Sequence, residues 1–140
     1  MVSRAAEGFV WPVRVYYEDT DAGGVVYYAN YLKFMERART EWLRALGFEQ
    51  DRLTREQGLI FAVRQIAVDY LRPALFNQSL RVSVRLMKLG AASLHFEQAI
   101  VNEAGVMLCQ GNVRIACLDA DSFRPRPLPK PIVAELCNAG

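Results

Sequence analysis

Between Tyr17 and Asn30 lies the stretch whose residue types are best suited to chemistry, the loop Glu18-Asp19-Thr20-Asp21-Ala22-Gly23-Gly24. Asp19 and Asp21 sit just before paired glycines and just upstream of a helix-patterned segment. A carboxylate can attack an electrophilic carbon or activate water, and backbone N–H groups at a helix start can polarise a carbonyl. That pairing suits acyl transfer. The same residues also make turns and cap helices, and the spacing alone leaves both readings open.

Other apparatus is thin. The single histidine, His95, lies mid-strand and reads as a structural or surface residue, so a His-rich metal site and a Ser-His-Asp or Cys-His set are poorly supported. Cys109, Cys117 and Cys137 are odd in number, lack CxxC spacing and read as buried free thiols. Neither GxxxxGK[ST] nor GxGxxG occurs, so no nucleotide cofactor is expected. Chemistry must rest on carboxylates, hydroxyls and backbone dipoles, with no cofactor and no metal.

The elements that position the loop follow from periodicity. Val13 to Tyr17 is β-branched and aromatic and reads as a strand running into the loop. Beyond it, Tyr31, Phe34, Met35, Ala38, Trp42, Ala45 and Leu46 recur at helical spacing, with Lys33, Arg37, Thr40 and Arg44 opposite. Asn30 is the expected N-cap and Gly47 the expected left-handed residue after the C-cap. A polar segment, Glu49 to Gln57, follows. Four strands then occupy Phe61 to Tyr70, Leu80 to Leu89, Ser93 to Val101 and Met107 to Leu118, separated by turn signals at Arg72-Pro73, Gly90 and Glu103-Ala104-Gly105. Their short turns favour antiparallel neighbours. The proline-rich run Arg124 to Pro129 is expected as an extended surface segment before a short C-terminal helix. One helix among five strands is an α+β sheet with one face covered, and its outer face needs another partner.

Composition sets the outer bounds. The 140 residues, 52% hydrophobic, make one domain, 1–140, with a genuine core. A net charge of +2 is too weak to argue nucleic acid. No apolar run approaches the roughly 20 residues of a bilayer span, so no membrane insertion is expected. The N-terminus lacks a secretory pattern, and a cytoplasmic location is the expectation.

The run from Val15 to Thr40, including Asp19-Thr20-Asp21-Ala22-Gly23-Gly24 and Tyr28-Ala29-Asn30-Tyr31, resembles the signature of the 4-hydroxybenzoyl-CoA thioesterase family of hotdog proteins. It looks most like the branch associated with the tol-pal cell-envelope system. The likeness continues through Tyr70-Leu71-Arg72-Pro73-Ala74 and the strand around Ser93 to Arg126-Pro127-Leu128-Pro129. What it implies is a hotdog fold: a five-stranded antiparallel sheet wrapped around one long central helix. It also implies a site between two subunits, and hydrolysis of an acyl-CoA thioester. The family carboxylate falls on Asp21 and its carbonyl-polarising N–H near Tyr28. Tyr17 matches a tyrosine near the site, and Gly24, Val25 and Asn30 fall within the motif as substrate contacts.

Two departures stand out. Tyr28 replaces the histidine of most tol-pal-associated members, and a phenol with an ordinary pKa near 10 is a poor general base. Gly90-Ala91-Ala92-Ser93 replaces a stretch that in relatives often reads R-G-T-S. Glu36, as a helix carboxylate, and Ser93, at a strand start, are secondary substrate-binding candidates. Arg64, Arg72, Lys88 and Arg126 are candidates for the phosphates of coenzyme A. The expected acyl group is short, medium or aromatic, and the expected assembly a dimer of dimers, with acyl carrier protein as a further partner. The alternative is a non-enzymatic module that holds acyl-CoA or acyl carrier protein for the envelope machinery.

Overall fold

A computed structural model describes residues 9–139, so the part of the N-terminal reading that rests on residues 1–8 lies outside it. In chain order the elements are β1 (Phe9–Arg14), a 3-10 turn (Tyr17–Asp19), α1 (Tyr28–Ala45), α2 (Gln50–Gln57), β2 (Leu59–Tyr70), β3 (Ser79–Leu89), β4 (Ser93–Val101), β5 (Met107–Asp119) and α3 (Lys130–Ala139). The five strands form one antiparallel sheet in the order β1-β3-β4-β5-β2. This is the hotdog arrangement that the motif implied.

Helix α1 forms where its apolar stripe can be buried. Tyr31, Phe34, Met35, Ala38 and Trp42 are buried together with the inward residues of β3, β4 and β5, among them Leu80, Val82, Phe96, Ile100 and Val113. Trp42 meets Phe96 edge to face at 5.0 Å. Gln98 is a fully buried side chain in the middle of this apolar layer. Its amide N–H donates to the Met35 carbonyl of α1 at 3.0 Å and to the Ser83 carbonyl at 3.3 Å, and its oxygen accepts from Arg39 at 2.9 Å. Helix and sheet are thereby tied by directed bonds as well as by packing. Gly111 leaves room for this fit: a Cβ there would lie 3.2 Å from the Ala67 carbonyl and from Val68 Cγ2 of the neighbouring strand and 3.4 Å from Met35 Cε of the helix.

Several boundaries differ from the periodicity reading. The first strand is Phe9–Arg14, not Val13 to Tyr17. Pro12 is tolerated there because β1 is an edge strand. Tyr17 instead enters a 3-10 turn, since the Asp19 carboxylate accepts the Tyr16 N–H at 2.8 Å and bends the chain. The polar segment before β2 is a helix, α2, anchored by the buried Leu53 and ended by Gly58 at φ +64. Helix α1 starts at Tyr28 with Tyr27 as N-cap, so Asn30 is not the cap. Gly47, at φ +98, does follow the Leu46 C-cap as expected.

The outer face of the sheet is polar, carrying Arg81, Ser83, Arg85, Glu97, Asn112 and Arg114, so it does not itself demand an apolar cover. Cys109 and Cys117 are buried free thiols, but Cys137 is exposed. The run Arg124 to Pro129 is extended, as expected, yet it is anchored: the Arg126 and Leu128 N–H groups donate to the Cys117 and Ala91 carbonyls. Prolines 125, 127 and 129 alternate with those donors. No described helix is long and apolar enough to cross a membrane.

Candidate active site

The acidic loop is a tight hairpin. Thr20 bridges Val26, the Asp21 N–H donates to the Val25 carbonyl at 2.9 Å, and the Gly24 N–H donates to the Asp21 carbonyl at 3.0 Å. Gly24 takes φ +80, a conformation that favours glycine. Val25 bridges Leu75 and the Val26 N–H donates to the Ala74 carbonyl, which clamps the loop to the turn after β2.

This geometry separates the two aspartates. Asp19 is committed to structure: its carboxylate accepts the Tyr16 N–H, and its carbonyl accepts the Tyr27 N–H at 3.0 Å and the Asn30 side-chain amide at 2.9 Å. Asn30 therefore straps the first turn of α1 to the loop. Asp21 is exposed, and one oxygen accepts the Gly23 N–H at 2.8 Å. Its other oxygen has no hydrogen-bond donor among the described residues, so it can face a ligand. The N–H groups of Tyr28 and Ala29, at the first two positions of α1, likewise find no acceptor among the described residues. Carboxylate oxygen and helix-start donors thus belong to one rigid loop.

Around them lies an aromatic shelf. Tyr28 packs on Tyr27 at 4.8 Å and against Tyr70 at 6.1 Å, and Tyr31 lies 5.5 Å from Tyr70. Tyr28, Tyr31 and Tyr70, with Val26, Leu71, Arg72 and Pro73, line an open cavity of about 280 Å³. The Tyr31 hydroxyl accepts the Ala74 N–H at 2.9 Å. Burial pushes its pKa up, partly offset by that N–H, with Cys109 and Asp21 adding to the rise. Tyr17, 80% exposed, stands edge-on to Phe76 at 5.9 Å.

The remaining sequence candidates scatter. Glu36 is eight residues along α1 from Tyr28, about 12 Å at helical rise. It lines a separate cavity of about 110 Å³ with Arg39, Trp42, Phe61, Val63 and Phe96. Burial lowers the Arg39 pKa. Ser93 opposes Ala116, while the Asp21 loop is clamped to a turn whose first residues bond Leu108. Eight residues of β5 separate these points, about 26 Å, so one chain does not bring Ser93 to Asp21.

Nor do the four phosphate candidates form one group. Arg64 and Lys88 share a cavity, Arg72 lies on the aromatic shelf, and Arg126 is committed to structure. The Arg126 guanidinium donates to the Gln57 and Gly58 carbonyls, holding the C-terminus of α2. The Arg39–Gln98 pair and Tyr31 were not singled out from sequence. A polar residue inside the otherwise alternating apolar positions of β4 was the available signal.

Against this geometry, the family model described as the thioesterase-like superfamily matches residues 15–136. The chain belongs to that superfamily. It is 48% identical over 127 residues to the acyl-CoA thioester hydrolase YbgC of Escherichia coli O157:H7, covering 91% of this chain and 94% of that protein. It is 30% identical to the 1,4-dihydroxy-2-naphthoyl-CoA hydrolase of Thermosynechococcus vestitus, over 89% of this chain and 86% of that one. The crystal structure of a probable thioesterase from Bartonella henselae superposes with a TM-score of 0.83 at 38% identity, covering 87% of this chain and 99% of that chain.

Proposed function

We propose that the protein hydrolyses an acyl-coenzyme A thioester at the Asp21 loop. The observation that carries this reading is the division of labour between the aspartates: Asp19 holds the loop, and Asp21 keeps an oxygen available beside helix-start N–H groups. Asp21 either attacks the thioester carbonyl, giving a mixed anhydride that water cleaves, or deprotonates the attacking water. The Tyr28 N–H holds the negative charge that develops on the former carbonyl oxygen. The names of the relatives support the acyl-CoA class, and the aromatic shelf favours a short, medium or aromatic acyl group.

The site is completed by a second copy. Tyr17 and Tyr28 are 80% and 60% exposed, with Tyr70, Leu71 and Phe76 exposed beside them, an apolar patch of the kind that marks an interface. Strand β2 is a sheet edge with one side unpaired. Antiparallel pairing of two β2 edges about a two-fold axis sets the Tyr70 end of one strand beside the Leu59 end of the other. The Ser93 end of the second sheet then lies near the first Asp21, which supplies the residues a single chain leaves remote. A dimer of dimers, a tol-pal-associated role, an acyl carrier protein partner and a cytoplasmic location complete the proposal.

The test is Asp21→Asn, which keeps size and the Gly23 hydrogen bond but deletes the charge. Thiol release from acyl-CoA should fall about 10²–10⁴-fold with the melting temperature unchanged. Near wild-type turnover in a folded Asp21→Asn protein would sink the mechanism.

A further inference from the structure

The Tyr31 hydroxyl occupies a place that a backbone group ordinarily fills. Two extended segments that face each other as Ala74 and Val26 do exchange a pair of backbone bonds in a regular antiparallel ladder. One of the two is made, from the Val26 N–H to the Ala74 carbonyl at 2.9 Å. For the other, the Ala74 N–H donates to the Tyr31 hydroxyl at 2.9 Å. A side chain of α1 is thereby inserted at the foot of the Asp21 hairpin. Its ring is fixed there, 4% exposed and packed on Tyr70 at 5.5 Å and on Phe34 at 6.4 Å. Thr20 bridges Val26, so the hairpin arm that carries Asp21 runs about 5 Å from Val26.

A phenol that accepts one N–H still has a proton to give. Among the described residues nothing accepts it, and a buried O–H without an acceptor is costly. Asp21 is the anion at hand: after burial and Cys109, its charge adds to the upward push on the phenol. We propose that Tyr31 is a positioning residue for the reaction at Asp21, its hydroxyl seated on Ala74 and its proton turned to the Asp21 carboxylate, directly or across one water. The inference rests on the thioesterase reading and deepens it. A carboxylate has about four lone-pair sites. The Gly23 N–H takes one at 2.8 Å and Tyr31 a second, which leaves the others for water or the thioester. The donor matters most in the assembled protein. The proposed second copy, in covering the aromatic shelf, withdraws water from the loop, and a desolvated carboxylate takes up a proton unless donors replace that water. Tyr31 keeps the carboxylate ionised and aimed. Around the pair stand Tyr28 of α1, Tyr70 of β2, Arg72 of the turn that follows, Cys109 of β5, and Glu18 and Asp19 of the loop. Phenols, thiols and guanidinium groups do not titrate in the acid range, so only the two neighbouring carboxylates must be told apart from Asp21.

The experiment follows the acid limb of the pH–rate profile for an acyl-CoA. Beside it, NMR follows the titration of the carbon-13-labelled Asp21 carboxyl, its signal assigned by its loss in Asp21→Asn. Tyr31→Phe should move both the limb and the NMR midpoint to higher pH by about one unit, because a donor to the charged form is gone. Turnover should fall about tenfold on the limb and recover above it. The melting temperature should fall as well, since the Ala74 N–H is left buried without an acceptor. A merely structural role stops there: a lower melting temperature with limb and midpoint unmoved overturns the proposal. Replacing Tyr31 by 3-fluorotyrosine keeps the seat on Ala74 and strengthens the donor, so limb and midpoint should move to lower pH. No shift in that protein overturns the proposal even where Tyr31→Phe does not fold. If the wild type hydrolyses no acyl-CoA, the thioesterase reading fails on its own. The NMR midpoint then decides Tyr31: a rise in Tyr31→Phe keeps its proton on Asp21, and no rise removes it.

Discussion

Two aspartates two residues apart have opposite fates because of backbone geometry alone. Each carboxylate accepts one N–H, but the main-chain carbonyl of half-buried Asp19 also accepts Tyr27 and Asn30 and so holds the start of α1, whereas Asp21 stands exposed at the loop tip. Tyr28 poses the sharper question. Its phenol is exposed and its main-chain N–H is the helix-start donor, so Tyr28→Phe should retain most of the turnover. A loss of roughly a hundredfold, with binding of a non-hydrolysable analogue unchanged, would show that the hydroxyl itself donates in the reaction. The cysteines give a second prediction. Burial pushes the thiols of Cys109 and Cys117 up to about 11 from an ordinary value of 9.0; Asp69 adds to the first and Arg126 opposes the second. The neutral thiol is the form the fold favours. Stability from this source is therefore complete below pH 9 and lost as pH rises towards 11. Denaturant titrations across that window should show the loss, and a Cys109→Ala/Cys117→Ala protein should show less of it. At neutral pH an alkylating reagent should reach Cys137 first.

At the scale of elements, the long helix and four of the five strands were legible, the helix from its apolar stripe and the strands from apolar runs bounded by turn signals. Residues 50–57 were not. A helix with one buried residue, Leu53, has no period to read, and its stability comes from Gly58 and from Arg126, 68 residues distant from Gly58 in sequence. The first strand was misplaced because Pro12 reads as a break when the strand's place at the sheet edge is unknown. Of the site, the Asp21 loop could be read from its glycines, carboxylates and motif. The neighbourhood of Arg64 and Lys88 could not, because residues on β2 and β3 share a cavity only through strand register. Gly111 tests how tightly helix and sheet are fitted. Gly111→Ala should cost about 1–3 kcal/mol in chemical denaturation, since the added methyl meets the Ala67 carbonyl and the Met35 side chain. A neutral result would mean that α1 can shift outward freely.

For the molecule as a whole, the exposed aromatic shelf and the open β2 edge are the surfaces on which the proposed second copy completes the site. Turnover per chain should fall on dilution through the dimer dissociation constant, in step with the sedimentation coefficient. A monomer with full activity would show that Asp21 and its donors suffice alone. The strand order has a consequence in time as well as in space. Strand β2 is synthesised before β3, β4 and β5, yet within the sheet it pairs only with β5, the last strand made. At typical elongation rates the 49 residues from Tyr70 to Asp119 take roughly 2–10 s to appear. For that interval the nascent segment Leu59-Ile60-Phe61-Ala62-Val63 has no sheet partner within its own chain. On a polysome, neighbouring nascent chains expose the same unpaired strand at the same moment. The edge proposed to join finished subunits is thus also a segment in need of shelter by a chaperone during birth.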